Sequence, residues 1–204
     1  MTDYANIASE EAIAAAKQAL EANGFAVTIV ENAQAAKEAV VNALPKGAEV
    51  LTMTSQTLEK TGIAALVNES GDYDSVRGKL NAMYGDESKK GEQRKLGAAP
   101  DFAIGSVHAV TQDGHVLVAS NTGSQLPAYT YGAGHVIWVV GAQKVVADLT
   151  EAQERLEKHV FPLENERSKV AYGGPSSINK VVTFYKEGTP GRIEIFLAKE
   201  ALGF

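Results

Sequence analysis

The stretch Asp101–Gly141, DFAIGSVHAVTQDGHVLVASNTGSQLPAYTYGAGHVIWVVG, decides how this chain folds. Two runs rich in β-branched and apolar residues, Val107–Gln112 and His115–Ser120, are joined by Asp113-Gly114. Asp-Gly between such runs is the strongest short hairpin signal, because a type I′ turn needs φ > 0 at both central residues. A two-residue turn predicts Gln112 opposite His115 and His108 opposite Ala119. Both histidines then share a face, about 13 Å apart at strand rise and too far to hold one metal ion. His135–Gly141 reads as a further, buried strand.

The hairpin leads into Asn121-Thr122-Gly123-Ser124-Gln125, a loop of small hydroxyl and amide residues. Ligands of open α/β sheets bind in the crevice beyond the carboxyl ends of strands, which makes Asn121, Thr122, Gly123 and Ser124 candidate ligand contacts.

Upstream, helices and strands alternate. Ser9 with Glu10 and Glu11 starts a helix whose apolar face is Ile13, Ala16 and Leu20, and Asn23-Gly24 stops it. Phe25–Val30 is a strand pattern; Asn32 opens a second helix along Ala36, Val40, Ala43 and Leu44, and Val50–Met53 is the next strand. This alternation predicts parallel βαβ units with helices over both faces of a sheet. Thr54, Ser55, Gln56 and Thr57 follow that strand, where hydroxyls and free N–H groups suit an anion; helix N-capping by Ser55 or Thr57 uses the same chemistry. Residues 68–100 are polar and glycine-interrupted, a helical excursion that reads as a lid, a partner contact or a solvated insertion.

Downstream, a helix over about 150–159 is expected to break at Phe161-Pro162, and Tyr172-Gly173-Gly174-Pro175-Ser176-Ser177 is a loop. Val181–Tyr185 and Ile193–Leu197 read as a second hairpin, so the sheet is expected to be mixed. The whole chain is expected to form one domain, 1–204.

Composition narrows the function. A formal charge of −6 over 204 residues disfavours nucleic acid and anionic membranes as partners. With no cysteine, the chain cannot by itself hold a disulfide, a thiolate nucleophile or an iron–sulfur cluster. No cofactor or metal site is expected. The N-terminal residues lack the basic start of a signal peptide and no apolar run approaches bilayer length, so a cytoplasmic protein is expected.

Four loops, 54–57, 121–125, 141–143 and 173–177, supply the small residues that let a backbone approach an anion; Gly141, Gly173, Gly174 and Ser176 join the candidates there. None carries a Walker A or G-x-G-x-x-G pattern. His108, nearest the 121–125 loop, is the candidate general acid or base; a hydrogen-bonded sheet histidine is the other reading. His135 and His159 suit structural positions, and no G-x-S-x-G elbow occurs.

Taken together, Thr54-Ser55-Gln56-Thr57-Leu58, Thr61-Gly62, Ala109–Gly114, Asn121–Ser124, Tyr131-Gly132, Asp148–Ala152, Pro162–Asn165, Gly191–Ile193 and Lys199–Phe204 resemble the LUD-domain family, named for lactate utilisation. The resemblance implies a three-layer α/β/α fold similar to ribose-5-phosphate isomerase, glucosamine-6-phosphate deaminase and CoA transferases. It also implies a role in organic-acid metabolism, with iron–sulfur or flavin redox proteins as partners; the convergence of hydroxyl- and glycine-rich loops on one sheet edge adds a small anionic metabolite as ligand, expected between the 54–57 and 121–125 loops. Fold analogy adds a homodimer. The alternatives are a sugar-phosphate isomerase or CoA-transferase-like enzyme, or a non-catalytic scaffold for redox partners. Some relatives carry a cysteine-rich segment where this chain has SKVAYGG, 168–174, which counts against a direct redox role; the 121–125 loop has no acid, which counts against glutamyl-CoA transfer.

Overall fold

The computed structural model describes residues 3–204. The first half is built as its caps and apolar spacing require. In α1 (Glu10–Ala22) the Ser9 hydroxyl accepts the Ala12 N–H, and Ile13, Ala16 and Leu20 are buried. β1 (Ala26–Val30) follows, then α2 (Ala33–Ala43), capped by Asn32 and buried through Ala36 and Val40. After β2 (Glu49–Thr52) come α3 (Gln56–Thr61) and α4 (Ile63–Glu69), hinged at Gly62 with φ +69°.

Residues 68–100 contribute β3 (Asp74–Ser75), α5 (Val76–Ala82) and α6 (Lys90–Ala98). This excursion is part of the main body: β3 is the edge strand beside β2, and Val76, Leu80 and Leu96 pack into the core. Next are β4 (Phe102–Gly105), β5 (Ala109–Thr111), β6 (Val116–Ser120), β7 (His135–Gly141) and β8 (Val145–Val146). The chain ends with α7 (Leu149–Arg155), α8 (Phe161–Tyr172), β9 (Lys180–Phe184) and β10 (Ile193–Ala198).

Six strands form one parallel sheet in the order β1-β10-β7-β4-β2-β3. β7 lies inside it and shows why: Val136, Trp138 and Val140 face one core, Ile137 and Val139 the other. α2, α3 and α4 cover the second face; α1, α5 and a four-stranded sheet, β8-β5-β6-β9, cover the first. β6 alternates likewise, sending Val116 and Val118 into the main core and Leu117 and Ala119 against α7. The architecture is three-layer α/β/α.

Three local expectations need correction. The antiparallel pairings all lie in the small sheet, and β9 and β10 form no hairpin: β9 pairs with β6, while β10 inserts between β1 and β7. The connection crosses between sheets because Glu187 and Arg192 anchor it; Arg192 pairs with Glu187 at 2.7 Å and donates to the Tyr129 and Ala133 carbonyls. The β5–β6 hairpin forms, but Ala109 faces Leu117 and Val110 faces Val116, one residue from the expected register. Only Gly114 has positive φ, +88°, and its N–H donates to the Thr111 carbonyl, so the turn is a three-residue type I turn with a bulge. Finally, Phe161-Pro162 does not end the helix. A π turn over Leu156–Val160 absorbs the N–H that Pro162 lacks, and the chain continues as α8.

Candidate functional site

All six parallel strands end on one edge, and buried cations gather there. At the end of β2, Arg77 of α5 turns its guanidinium onto the Thr52 carbonyl, with Nε at 3.0 Å and one terminal nitrogen at 2.7 Å. At the ends of β4 and β7 stands Lys144, 2% exposed. Its Nζ donates to Ser106 Oγ (3.0 Å), Thr57 Oγ1 (3.1 Å) and the Val107 carbonyl (3.1 Å). Behind it Arg155 of α7 is wholly buried; Nε donates to the Gln143 carbonyl at 3.3 Å and one terminal nitrogen to the His108 carbonyl. Its other terminal nitrogen has no partner among the described residues.

No carboxylate pairs with Arg77, Lys144 or Arg155 among the described residues, although a lone buried charge is costly. Burial, reinforced by Arg155, pulls the Lys144 ammonium down to about 7. Burial likewise brings Arg155 down to about 10 and lowers Arg77, against the opposing influence of Tyr172 and Tyr129.

His108 completes the cluster. The Ala119 N–H donates to its Nδ1 at 3.0 Å, which fixes the neutral tautomer with its proton on Nε2. Burial, then the Lys144 and Arg155 charges, hold its pKa at about 3. Its ring therefore offers an N–H donor at neutral pH.

The chain's last residues close this edge on one side. Gln143 grips them through its amide: Nε2 donates to the Leu202 and Gly203 carbonyls and Oε1 accepts the Leu202 N–H. Thr57 Oγ1 donates to the Leu202 carbonyl at 3.0 Å. An added Cβ at Gly203 would lie 2.6 Å from Thr57 Oγ1, and one at Gly141 2.5 Å from the Leu202 nitrogen. Gly141 thus makes room for 200–202.

The loops named from the sequence divide accordingly. Thr57 joins Lys144 directly. Thr54, Ser55 and Gln56 lie beside it, and Ser55 stands at the helix N-cap position without a side-chain cap. The 121–125 loop has other partners: Asn121 accepts from Asn179, Gly123 abuts Lys180, and Thr122 and Ser124 bond each other. No hydrogen bond joins it to 54–57 among the described residues. Gly173, Gly174 and Ser176 shape the end of α8: Gly173 is the left-handed cap, the Gly174 carbonyl accepts from Ser168, and the Ser176 N–H donates to Asn165. At the opposite edge a cleft of ≈ 340 Å³ is lined by Phe102, His135, Arg192 and Glu194, with none of Arg77, Lys144 or Arg155 in its wall.

Arg77, Ser106, Lys144 and Arg155 are absent from the sequence-based candidates. Signals existed: Lys144 interrupts the apolar sequence from Val136 to Val146, and Arg155 falls on the buried stripe Ala152, Leu156, Val160.

The fold is thus a three-layer α/β protein with a polar, cation-bearing cluster at the carboxyl edge of its parallel sheet. Residues 13–198 match the family model described as the LUD domain, and the chain belongs to that family. It is also similar to the crystal structure of a DUF162 family protein from Deinococcus radiodurans: 15% identity over 95% of this chain and 99% of that one, TM-score 0.58, a likeness of fold. No curated protein sequence matches it. No helix among the described residues is long and apolar enough to cross a membrane.

Proposed function

We propose that this LUD-family chain serves organic-acid metabolism by binding a small carboxylate at the carboxyl edge of the parallel sheet, between Arg77 and Lys144, with His108 Nε2–H as a further donor. One observation carries the reading: a chain of formal charge −6 gathers three buried or half-buried cations at its strand ends without pairing any to a carboxylate among the described residues. An anion arriving there would offset desolvation that the protein leaves uncompensated, so binding and stability should rise together. Thr57 contributes by holding Lys144 in place. Of the loops read from the sequence, 54–57 and 141–143 border this site; 121–125 and 173–177 do not supply its cations. The family's association with lactate utilisation makes lactate-like acids the first ligands to try.

The test is thermal denaturation with lactate, pyruvate and phosphate, beside lactamide as the uncharged control. A carboxylate should raise Tm in the wild type, and Arg77→Met should abolish the rise. The reading fails if no anion stabilises the chain, or if lactamide does so equally.

A further inference from the structure

We propose that Lys144 Nζ is a nucleophile that condenses with the carbonyl carbon of a small 2-oxo acid to form an imine; this rests on the anion site described above and gives it a reaction. The argument begins with the hydrogen-bond inventory around the amine. An ammonium has three N–H donors, and Lys144 has three acceptors, so the protonated form is satisfied but has no lone pair. The Thr57 proton is committed to the Leu202 carbonyl, so Thr57 can only accept from Lys144. The Val107 carbonyl can only accept. Ser106 alone can turn its hydroxyl and donate.

A neutral Lys144 is therefore equally well held, donating to Thr57 and Val107 while its lone pair accepts from Ser106. Loss of the proton needs a hydroxyl rotation and no rearrangement of the backbone. The lone pair then points to the Ser106 side, where the surface is half-open, and not to the Thr57 side, which 201–203 cover.

The neighbours suit an acid carrying a carbonyl. Arg77 stands at Thr52, which pairs across the sheet with Ile104, two residues before Ser106. One strand spacing and two residues of rise separate the two positions by about 8 Å. The Arg77 guanidinium bonds the first position and the Lys144 amine the second, so an acid that bridges them must be small and carry its carbonyl next to its carboxylate. In the reaction the nitrogen lone pair forms the C–N bond, the carbonyl oxygen takes up protons, and the C–O bond breaks to release water. The two hydrogens of the amine leave in that water, Ser106 can carry a proton between nitrogen and oxygen, and nothing is oxidised or reduced.

The experiment incubates the full chain with pyruvate and sodium cyanoborohydride, which reduces an imine and spares the free keto acid, and maps the modified peptides by mass spectrometry. Expected is an adduct on Lys144 weighing pyruvate less one oxygen atom, with lactate protecting against it. Its rate should rise about tenfold per pH unit up to pH 7 and then level off, whereas a surface lysine keeps gaining to about pH 10. Ser106→Ala should slow the adduct without removing lactate protection. Labelling that spares Lys144, or spreads over surface lysines as in urea-unfolded chain, overturns the imine. If lactate still raises Tm in that case, the anion site stands and only its chemistry falls; if neither occurs, both are wrong.

Discussion

Replacing Lys144 by Met should change how stability depends on pH, and the size of the change follows from the burial of the amine. In the fold the ammonium titrates at about 7, pulled down by desolvation and by Arg155. In the unfolded chain it titrates near 10.5, the ordinary value. Between these limits the unfolded chain binds a proton that the folded chain does not, so stability rises with pH across the window and is flat below it. Integrated from pH 7 to pH 10, at about 1.4 kcal/mol per unit of pKa difference, the gain is roughly 3–4 kcal/mol. Met has similar length and no titration, so the stability of the wild type minus that of Lys144→Met isolates this contribution from every other group. Urea denaturation of both proteins at pH 7, 8, 9 and 10 measures it. The wild type should gain on the variant steadily over the series. Parallel pH profiles would refute the reasoning, because the buried amine would then be no harder to charge than an exposed one.

Other perturbations probe the same edge and its supports. His108 titrates at about 3 in the fold against an ordinary 6.5 when unfolded, so stability should be lost as pH falls from 6.5 towards 3. His108→Asn, which keeps an acceptor for the Ala119 N–H but cannot titrate, should flatten that fall in acid-denaturation curves. In Gly105→Ala the new methyl would overlap the buried Tyr129 hydroxyl, an overpacking worth about 1–3 kcal/mol; Tyr129→Phe in the same chain should recover part of it in a double-mutant cycle. Arg192→Met leaves Glu187 and two carbonyls without their partner, a loss of about 3–5 kcal/mol by chemical denaturation, whereas Arg192→Met with Glu187→Leu should cost less. Gly203→Ala sets an L-residue at φ +67° against Thr57, so hydrogen exchange at 201–203 should quicken by roughly tenfold, as a left-handed penalty of about 1–2 kcal/mol implies.

What could be read from the sequence was whatever depends on neighbours in the chain. Ser9 and Asn32 cap their helices because an N-cap needs only an oxygen three residues before a free N–H. The buried faces of α1 and α2 repeat at helical spacing, and β7 is apolar because both its faces are covered. Asp113-Gly114 announced a hairpin but not its turn type. The register shifted because Asp113 keeps negative φ and only Gly114 is left-handed, a choice made by the bulge and not by the dipeptide. The fate of β9 and β10 was hidden for a different reason. Adjacent strands usually pair, but here Glu187 and Arg192 fix the connection to Asn23, Tyr129 and Ala133, residues far away in the sequence.

The site was half legible on the same grounds. Hydroxyl-rich loops after strands can be found by inspection, and Thr57 was among them; the cations were not, because sequence assigns lysine and arginine to the surface unless a partner is visible. Lys144 and Arg155 are buried by the fold's layering, which brings a three-residue turn after β7 under a helix that follows β8. The acids nearest in sequence are spent elsewhere: Asp148 caps α7, Glu151 accepts the Ala147 N–H, Glu154 pairs with Lys158 and Glu157 accepts from the Gln153 amide. An uncompensated basic cluster is thus a product of tertiary structure alone. It persists against a desolvation cost that apolar residues of the same size would avoid, and an anion bound as proposed above would return that cost.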